Sequence, residues 1–340
     1  MEVRKIQVTG AGDTRIISLP KEWTERHHLN KGSNVIIKEL STGDLIIYPQ
    51  KSPIESQKRT TRIIESGHVS RDILAAYLLG SDIITVVSKN RDPLARKSAI
   101  KDLSRQLIGL EILGETQQRI ELHFLIDSSS LPNPREYVRR CFSIANQMQQ
   151  DVVTAFLNSD ISLAEEVIER DVEVNRLYFL IVRMLKIMVD DKREVSYLKS
   201  TACLDWRMVA TFSEDLGDAS VEFARMVKRY PQMNETILPG TLKKISELSQ
   251  LTTEVLNKSL DYFLEQNVEE AEELKNTIST KLNSLHNEIQ KDISNLNKEV
   301  VWKLSSLLNL FKELRETAID IGDLIIAHDT SFDIPSSFHE

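Results

Sequence analysis

The chain has 340 residues, 41% of them apolar, and a net charge of −8. That length suits two or three domains, and the absence of any run of about 18 apolar residues excludes a membrane span. Cys141 and Cys203 lie far apart with no thiol or histidine at ligand spacing, so no disulfide framework or zinc finger is expected. The opening MEVRKIQVTG has no apolar export core, which predicts a cytoplasmic protein. The charge is uneven: residues 1–50 carry a net +1, residues 51–130 +2 and residues 131–340 −11. Only the N-terminal part is suited to approach nucleic acid.

Residues 1–50 read as strands around one short helix. VRKIQV (3–8) alternates basic and apolar residues, and RIISLP (15–20) forms a second strand after a glycine turn. Gly10 and Gly12 do not open a dinucleotide loop: Arg15 stands where a third glycine is needed, and a β-branched run follows instead of a helix. KEWTERHHLNKG predicts a helix of about two turns, with Pro20 at its start and Asn30–Gly32 at its end. NVIIKEL, a turn at STGD, and LIIYP predict a hairpin. A unit this small cannot bury a core alone, so a second copy is expected to complete it. Residues 51–68, polar and charged, read as a linker. Residues 69–130 read as a small α/β module: helix SRDILAAYLLG, strand DIITVVS, helix PLARKSAIKDLSRQLIG, then strands near EIL and RIELHFLID. SSSLPNP (128–134) marks a boundary.

From Arg135 the pattern is helical, and RYPQMNETILPG (229–240) cuts it into two halves, 135–230 and 239–328. Each is long enough for three helices. Breaks are predicted near 158–161 and 190–192 in the first half, and near 266–267 and 292–295 in the second. The last helix of each half repeats a pattern. Glu214 and Asp218 recur 102 residues later as Glu316 and Asp320. Carboxylates four apart share a helix face and repel, a cost that a cation removes. Hard oxygen ligands suit magnesium, manganese, calcium or iron. Both pairs fall away from the apolar seams, Val209–Phe212–Leu216–Ala219–Phe223 and Leu307–Phe311–Leu314–Ala318–Ile321–Ile325, so solvation and cation binding are both open readings. Asp171 and Asn175, on the preceding helix, stand four apart and within reach of the first pair, while the second half offers only Asn276. His27, His28, His123 and His286 have no nucleophile or carboxylate at a diagnostic spacing, so no enzyme is expected. Trp206 and Trp302 read as core. Arg4, Lys5, Arg15, Lys21 and Arg26 are the basic residues of the N-terminal unit that suit phosphate contacts once doubled by dimerisation.

VRKIQVTGAGDTRIISLPKEW, HHLNKGSNVII and GDLIIYP resemble the AbrB/MazE/SpoVT family. The resemblance implies a swapped-hairpin β domain that is an interlocked homodimer, with Arg4, Lys5, Arg15 and Lys21 at DNA-contacting positions and GAGDTR as the hinge loop before the second strand. Residues 135–328 resemble PhoU, a duplicated three-helix bundle. This second resemblance implies bound iron or another divalent metal (zinc, manganese, magnesium) held by Glu214, Asp218, Glu316, Asp320 and Asp171. With the α/β module between them, the order resembles archaeal PhoU-type phosphate uptake regulators. The expected fold is mainly α: an N-terminal swapped-hairpin domain (1–50), a linker (51–68), an α/β module (69–130) and two PhoU-like bundles (135–230 and 239–328). The expected function is a dimeric DNA-binding transcriptional regulator of phosphate uptake. The alternative is a non-DNA-binding adaptor that docks on and inhibits a phosphate ABC transporter or a sensor kinase.

Overall fold

A computed structural model describes residues 3–8, 14–39, 45–50, 58–89, 93–126, 133–190 and 202–329. The chain forms two compact units, Met1–Lys58 and Arg59–Glu340.

In the first unit β1 (Gln7–Val8) pairs antiparallel with β2 (Arg15–Ile16), Val8 opposite Arg15. Helix α1 (Lys21–Arg26) follows Pro20, and β3 (Val35–Glu39) and β4 (Leu45–Pro49) form an antiparallel hairpin, Val35 opposite Pro49. The first two strands are shorter than their sequence predicts. A two-stranded ribbon has no partner sheet on which to bury its apolar face. The glycine loop at 9–13 and the turn at 40–44 lie outside the described residues. No side chain described in this unit is buried. Val3, Ile6, Val8, Ile37 and Leu45 are each at least 59% exposed.

The second unit opens on a four-stranded sheet in the order β5 (Thr60–Ile64), β6 (Ile83–Val87), β8 (Arg119–Phe124), β7 (Leu110–Glu115). β5 runs parallel to β6, and the other pairings are antiparallel. The predicted linker 51–68 is therefore corrected: Thr60–Ile64 is an edge strand. Only one face of this strand is buried, and only at Ile63, so its hydrophobic signal was a single residue. Helices α2 (Val69–Leu78) and α3 (Lys97–Gln106) share a core with the sheet through Val69, Ile73, Tyr77 and Ile100, against Ile84, Val86, Ile120 and Leu122.

The rest is helical: α4 (Pro134–Asn158), α5 (Ile161–Asp190) and α6 (Ala202–Arg229), then α7 (Pro239–Glu265), α8 (Val268–Thr277), a π-helical turn (Ile278–Leu282), α9 (Asn283–Ser294) and α10 (Lys298–Asp329). The breaks near 158–161, 266–267 and 292–295 fall where the sequence places them, and the reason is local; the one expected near 190–192 runs into residues 191–201, outside the described residues. Ser159 and Gln266 end α4 and α7 in the left-handed conformation, and the side chains of Asn133 and Asn267 cap the starts of α4 and α8. One continuous core joins both halves, which pack α4 against α7 and α6 against α10. The α4–α7 seam is partly polar, with Asn146 Nδ2 donating to Asn257 Oδ1 at 2.8 Å and Gln149 donating to Thr253. Helix α5 also reaches the sheet module: its Phe179 packs on that core, and Ile187 lies where a side chain on Gly80 (φ +85°) would clash, 2.8 Å from an added Cβ. Trp206 is buried, edge-on to Phe263 at 5.3 Å. Trp302 is not core: it is 60% exposed on α10, because the helix turns that face to a groove rather than to a neighbour. No helix among the described residues is long and apolar enough to cross a membrane.

Candidate functional site

The last helix of each half, α6 and α10, borders a groove of about 650 Å³. Its acidic lining comes from three helices: Asp171 of α5, Asp215, Asp218 and Glu222 of α6, and Glu313, Glu316 and Asp320 of α10. Arg225 is the one basic residue of that lining, and Phe212, Leu216, Ala219 and Leu314 supply an apolar floor.

The reason these acids share one face is their spacing. Asp215, Asp218 and Glu222 stand at i, i+3 and i+7, and so do Glu313, Glu316 and Asp320. A helix brings such positions to one side. Four of the five carboxylates singled out in the sequence line the groove together: Asp171, Asp218, Glu316 and Asp320. Glu214 is not among the lining residues, although it shares a helix face with Asp218 and lies close enough to Asp218, Asp215 and Asp171 to feel their charge. The acids missed by sequence reasoning are Asp215, Glu222 and Glu313. The signal that would have found them is the shared i, i+3, i+7 spacing. It relates the two helices by 98 residues, not by the 102 of the Glu-x-x-x-Asp alignment.

The charges are poorly compensated. Burial raises the Asp171 carboxyl above the ordinary aspartate range, and the neighbouring Asp218 raises it further, although Asn175 Nδ2 donates to Asp171 Oδ2 at 2.7 Å. Asp171 Oδ1 is buried and has no hydrogen-bond partner. Burial likewise raises Glu214, with Asp218, Asp215 and Asp171 adding repulsion, and raises Asp215, with Asp218 adding. On the facing helix burial raises Glu313, with Glu222 and Asp215 across the groove adding to the effect. It also raises Asp320, beside Asp323 and Glu316. Glu316 has local cations, Lys312 at 3.7 Å and Arg315 at 3.6 Å.

Repulsion of this kind is what a bound cation relieves. A single metal ion, however, needs its ligands to converge within about 2–2.6 Å of one point. Among the described residues no three histidine, cysteine, aspartate or glutamate side chains are grouped to hold one. The expected set Glu214, Asp218, Glu316, Asp320 and Asp171 is spread along two walls and does not fit a resident metal as arranged.

The basic residues expected at a DNA surface are Arg4 and Lys5, in the extended segment before β1, and Arg15, on β2 opposite Val8; all three are exposed. Lys21 opens α1 and pairs with Glu25 at 3.6 Å. His27 and His28 end that helix, exposed. His123 on β8 is held by Glu121 at 2.7 Å.

Residues 138–227 match the model of the PhoU domain, and residues 11–55 match that of the MazE bacterial antitoxin, described as antidote-toxin recognition. Among solved structures, PhoU from Pseudomonas aeruginosa is similar at 16% identity and a TM-score of 0.51, over 57% of this chain and 93% of that one. The phosphate transport system regulatory protein PhoU from Streptococcus pneumoniae is similar at 12% identity and a TM-score of 0.47, over 58% of this chain and 93% of that one. No curated protein matches the chain. The helical region thus has the PhoU fold, and the chain joins a segment that matches the PhoU domain, 138–227, to an N-terminal segment that matches MazE, 11–55.

Proposed function

We propose that the chain is a regulator of phosphate homeostasis: a homodimer whose N-terminal unit contacts promoter DNA through Arg4, Lys5, Arg15 and Lys21, and whose helical region receives the signal. The observation that carries this reading is the pairing, in one chain, of a segment matching MazE, with no described side chain buried, and a segment matching the PhoU domain. An apolar set such as Val3, Ile6, Val8, Ile37 and Leu45 needs a partner surface, and a second copy supplies it. Doubling also brings the basic residues to two sets, enough for salt-dependent phosphate binding. A change at the groove would then reach DNA as a change in affinity. No catalytic step belongs to this reading.

The test is fluorescence anisotropy with mixed-sequence DNA duplexes between ~50 and ~200 mM salt. The expected result is binding that falls steeply with salt. Replacing Arg4, Lys5 and Arg15 by alanine should weaken it by about tenfold or more and flatten the salt slope. The absence of binding at the lowest salt would remove DNA from the reading. The second reading, an adaptor docking on a phosphate transporter or sensor kinase, would then stand. It is favoured by one specific observation, the exposed Trp302 beside an acidic groove.

A further inference from the structure

The groove between α6 and α10 extends beyond its acidic section. A second cavity of about 220 Å³ shares Ala219, Glu222 and Glu313 with the first, so the two form one trough. Phe223, Met226, Leu310 and Trp302 line this extension. Residues late in α6 meet residues early in α10 there, so the helices run antiparallel. From Phe212 to Met226 the trough follows α6 for 14 residues, about 21 Å or four helical turns.

Three properties describe what fits. Half-buried Phe212, Ala219 and Met226, seven residues apart on α6, and an indole that is 60% exposed on α10 give the floor an apolar strip, interrupted near the indole by Ser305, Ser306 and Asn309. Both walls carry carboxylates repeating at i, i+3 and i+7, against a single Arg225 in the lining. The carboxylates are strung out rather than grouped, with no three placed to hold a metal ion among the described residues. A point charge satisfies one such site, whereas a row of charges over about 10 Å on each wall needs a row of cations with the same period. The period of 3 and 4 is that of another helix.

We infer that this trough is a docking groove for a basic amphipathic helix of a partner protein. An aliphatic or aromatic stripe would lie on the Phe212–Ala219–Met226–Trp302 strip, and lysines or arginines would lie along the carboxylate walls. Trp302 is the anchor at one end, an aromatic of the kind that dominates helix-in-groove binding. The inference rests on the reading of the helical region as an input element that works through a partner, and it names the chemistry of that partner. It replaces the resident metal expected for these carboxylates.

The test uses the full-length chain and a synthetic ~14-residue lysine–leucine peptide whose leucines fall on one helical face. Its control is a peptide of identical composition with the leucines scattered. Calorimetry and tryptophan fluorescence are the readouts. The amphipathic peptide should bind at least tenfold more tightly than its control. The combined Asp215→Asn, Asp218→Asn and Glu222→Gln substitution should weaken it at least tenfold with the thermal melt retained. Trp302→Phe should remove the fluorescence change. Equal binding of the two peptides, or binding untouched by the carboxamide variant and by Trp302→Phe, would overturn the inference. So would stoichiometric Mn²⁺ binding that the carboxamide variant abolishes and that excludes the peptide. None of these substitutions touches the N-terminal unit, so the DNA measurement stands or falls independently.

Discussion

Arg183 of α5 is the largest side chain that the fold buries completely. Its guanidinium lies under the sheet module, donating to the Tyr77 carbonyl at 2.6 Å and the Ser81 carbonyl at 3.0 Å, with Asp82 at 3.5 Å and the Phe124 ring 3.9 Å away. Tyr77 and Ser81 lie at the end of α2, where orphan carbonyls favour a cation. Arg183→Ala leaves those carbonyls and Asp82 without their donor, and is expected to cost about 3 kcal/mol in denaturant unfolding. Arg183→Lys restores the charge but not the planar fork or the stacking, so it should recover less than half of that. Cys141 gives a second prediction at this scale. It is wholly buried, and burial pushes its thiol up to about 12. The thiolate is the reactive form, so Cys141 should resist alkylation at pH 8 in the native chain and react only on unfolding. The sign follows: the raised value favours the fold below the thiol's unfolded range, near 8.5, and that contribution is lost as pH rises toward 12.

At the scale of elements, the breaks near 158–161, 266–267 and 292–295 were the most legible feature of the sequence, because each has a local cause. The Asn297 side chain accepts the Val300 amide at 2.9 Å at the start of α10. Asn297→Ala should therefore lower stability by about 1 kcal/mol, read as a shift of the unfolding midpoint with an unchanged denaturant slope. Strand β5 was not legible: one buried Ile63 in Thr60–Ile64 gives no period, and its place in the sheet comes from pairing with β6. The groove was half legible. Three of its acids, Asp218, Glu316 and Asp320, stood out through the repeat and Asp171 through its spacing from Asn175, but Asp215, Glu222 and Glu313 depend on which side of α6 faces α10, and that is decided by packing. Trp302 was misread for the same reason, since an aromatic at helical spacing carries no mark of which neighbour is missing. The uncompensated acids have a measurable consequence. Asp171, Glu214, Asp215, Glu313 and Asp320 are all raised in the folded chain, so they favour folding while protonated and oppose it once ionised. Asp171→Asn, which keeps the shape without the charge, should raise Tm at pH 7.5 by ~2 °C. The gain should shrink as pH falls and vanish below about pH 4, where aspartate is protonated in both states.

For the molecule as a whole, the two units depend on different sources of stability. Arg59–Glu340 has continuous cores of its own, with Val138, Phe142, Ile181 and Leu256 among the buried residues of the bundle and Ile84 and Ile120 among those of the sheet module. Burial at about 25 cal/mol per Å² accumulates there within a single chain. Among the described residues of Met1–Lys58 there is no such interior: every side chain described is at least partly exposed. A unit that short is marginal even with a core of its own, so in the homodimer proposed above its folding free energy comes from a second copy and depends on concentration. Residues 59–340 expressed alone should therefore melt at a temperature independent of protein concentration. Residues 1–58 expressed alone should show a melting temperature that climbs with concentration and a helix and strand signal that fades on dilution. If residues 1–58 instead melted cooperatively as a monomer at high dilution, the exposed Val3, Ile6, Val8, Ile37 and Leu45 would be ordinary surface residues. The dimer would lose its thermodynamic basis, and with it the doubling of Arg4, Lys5 and Arg15 on which salt-dependent DNA binding relies.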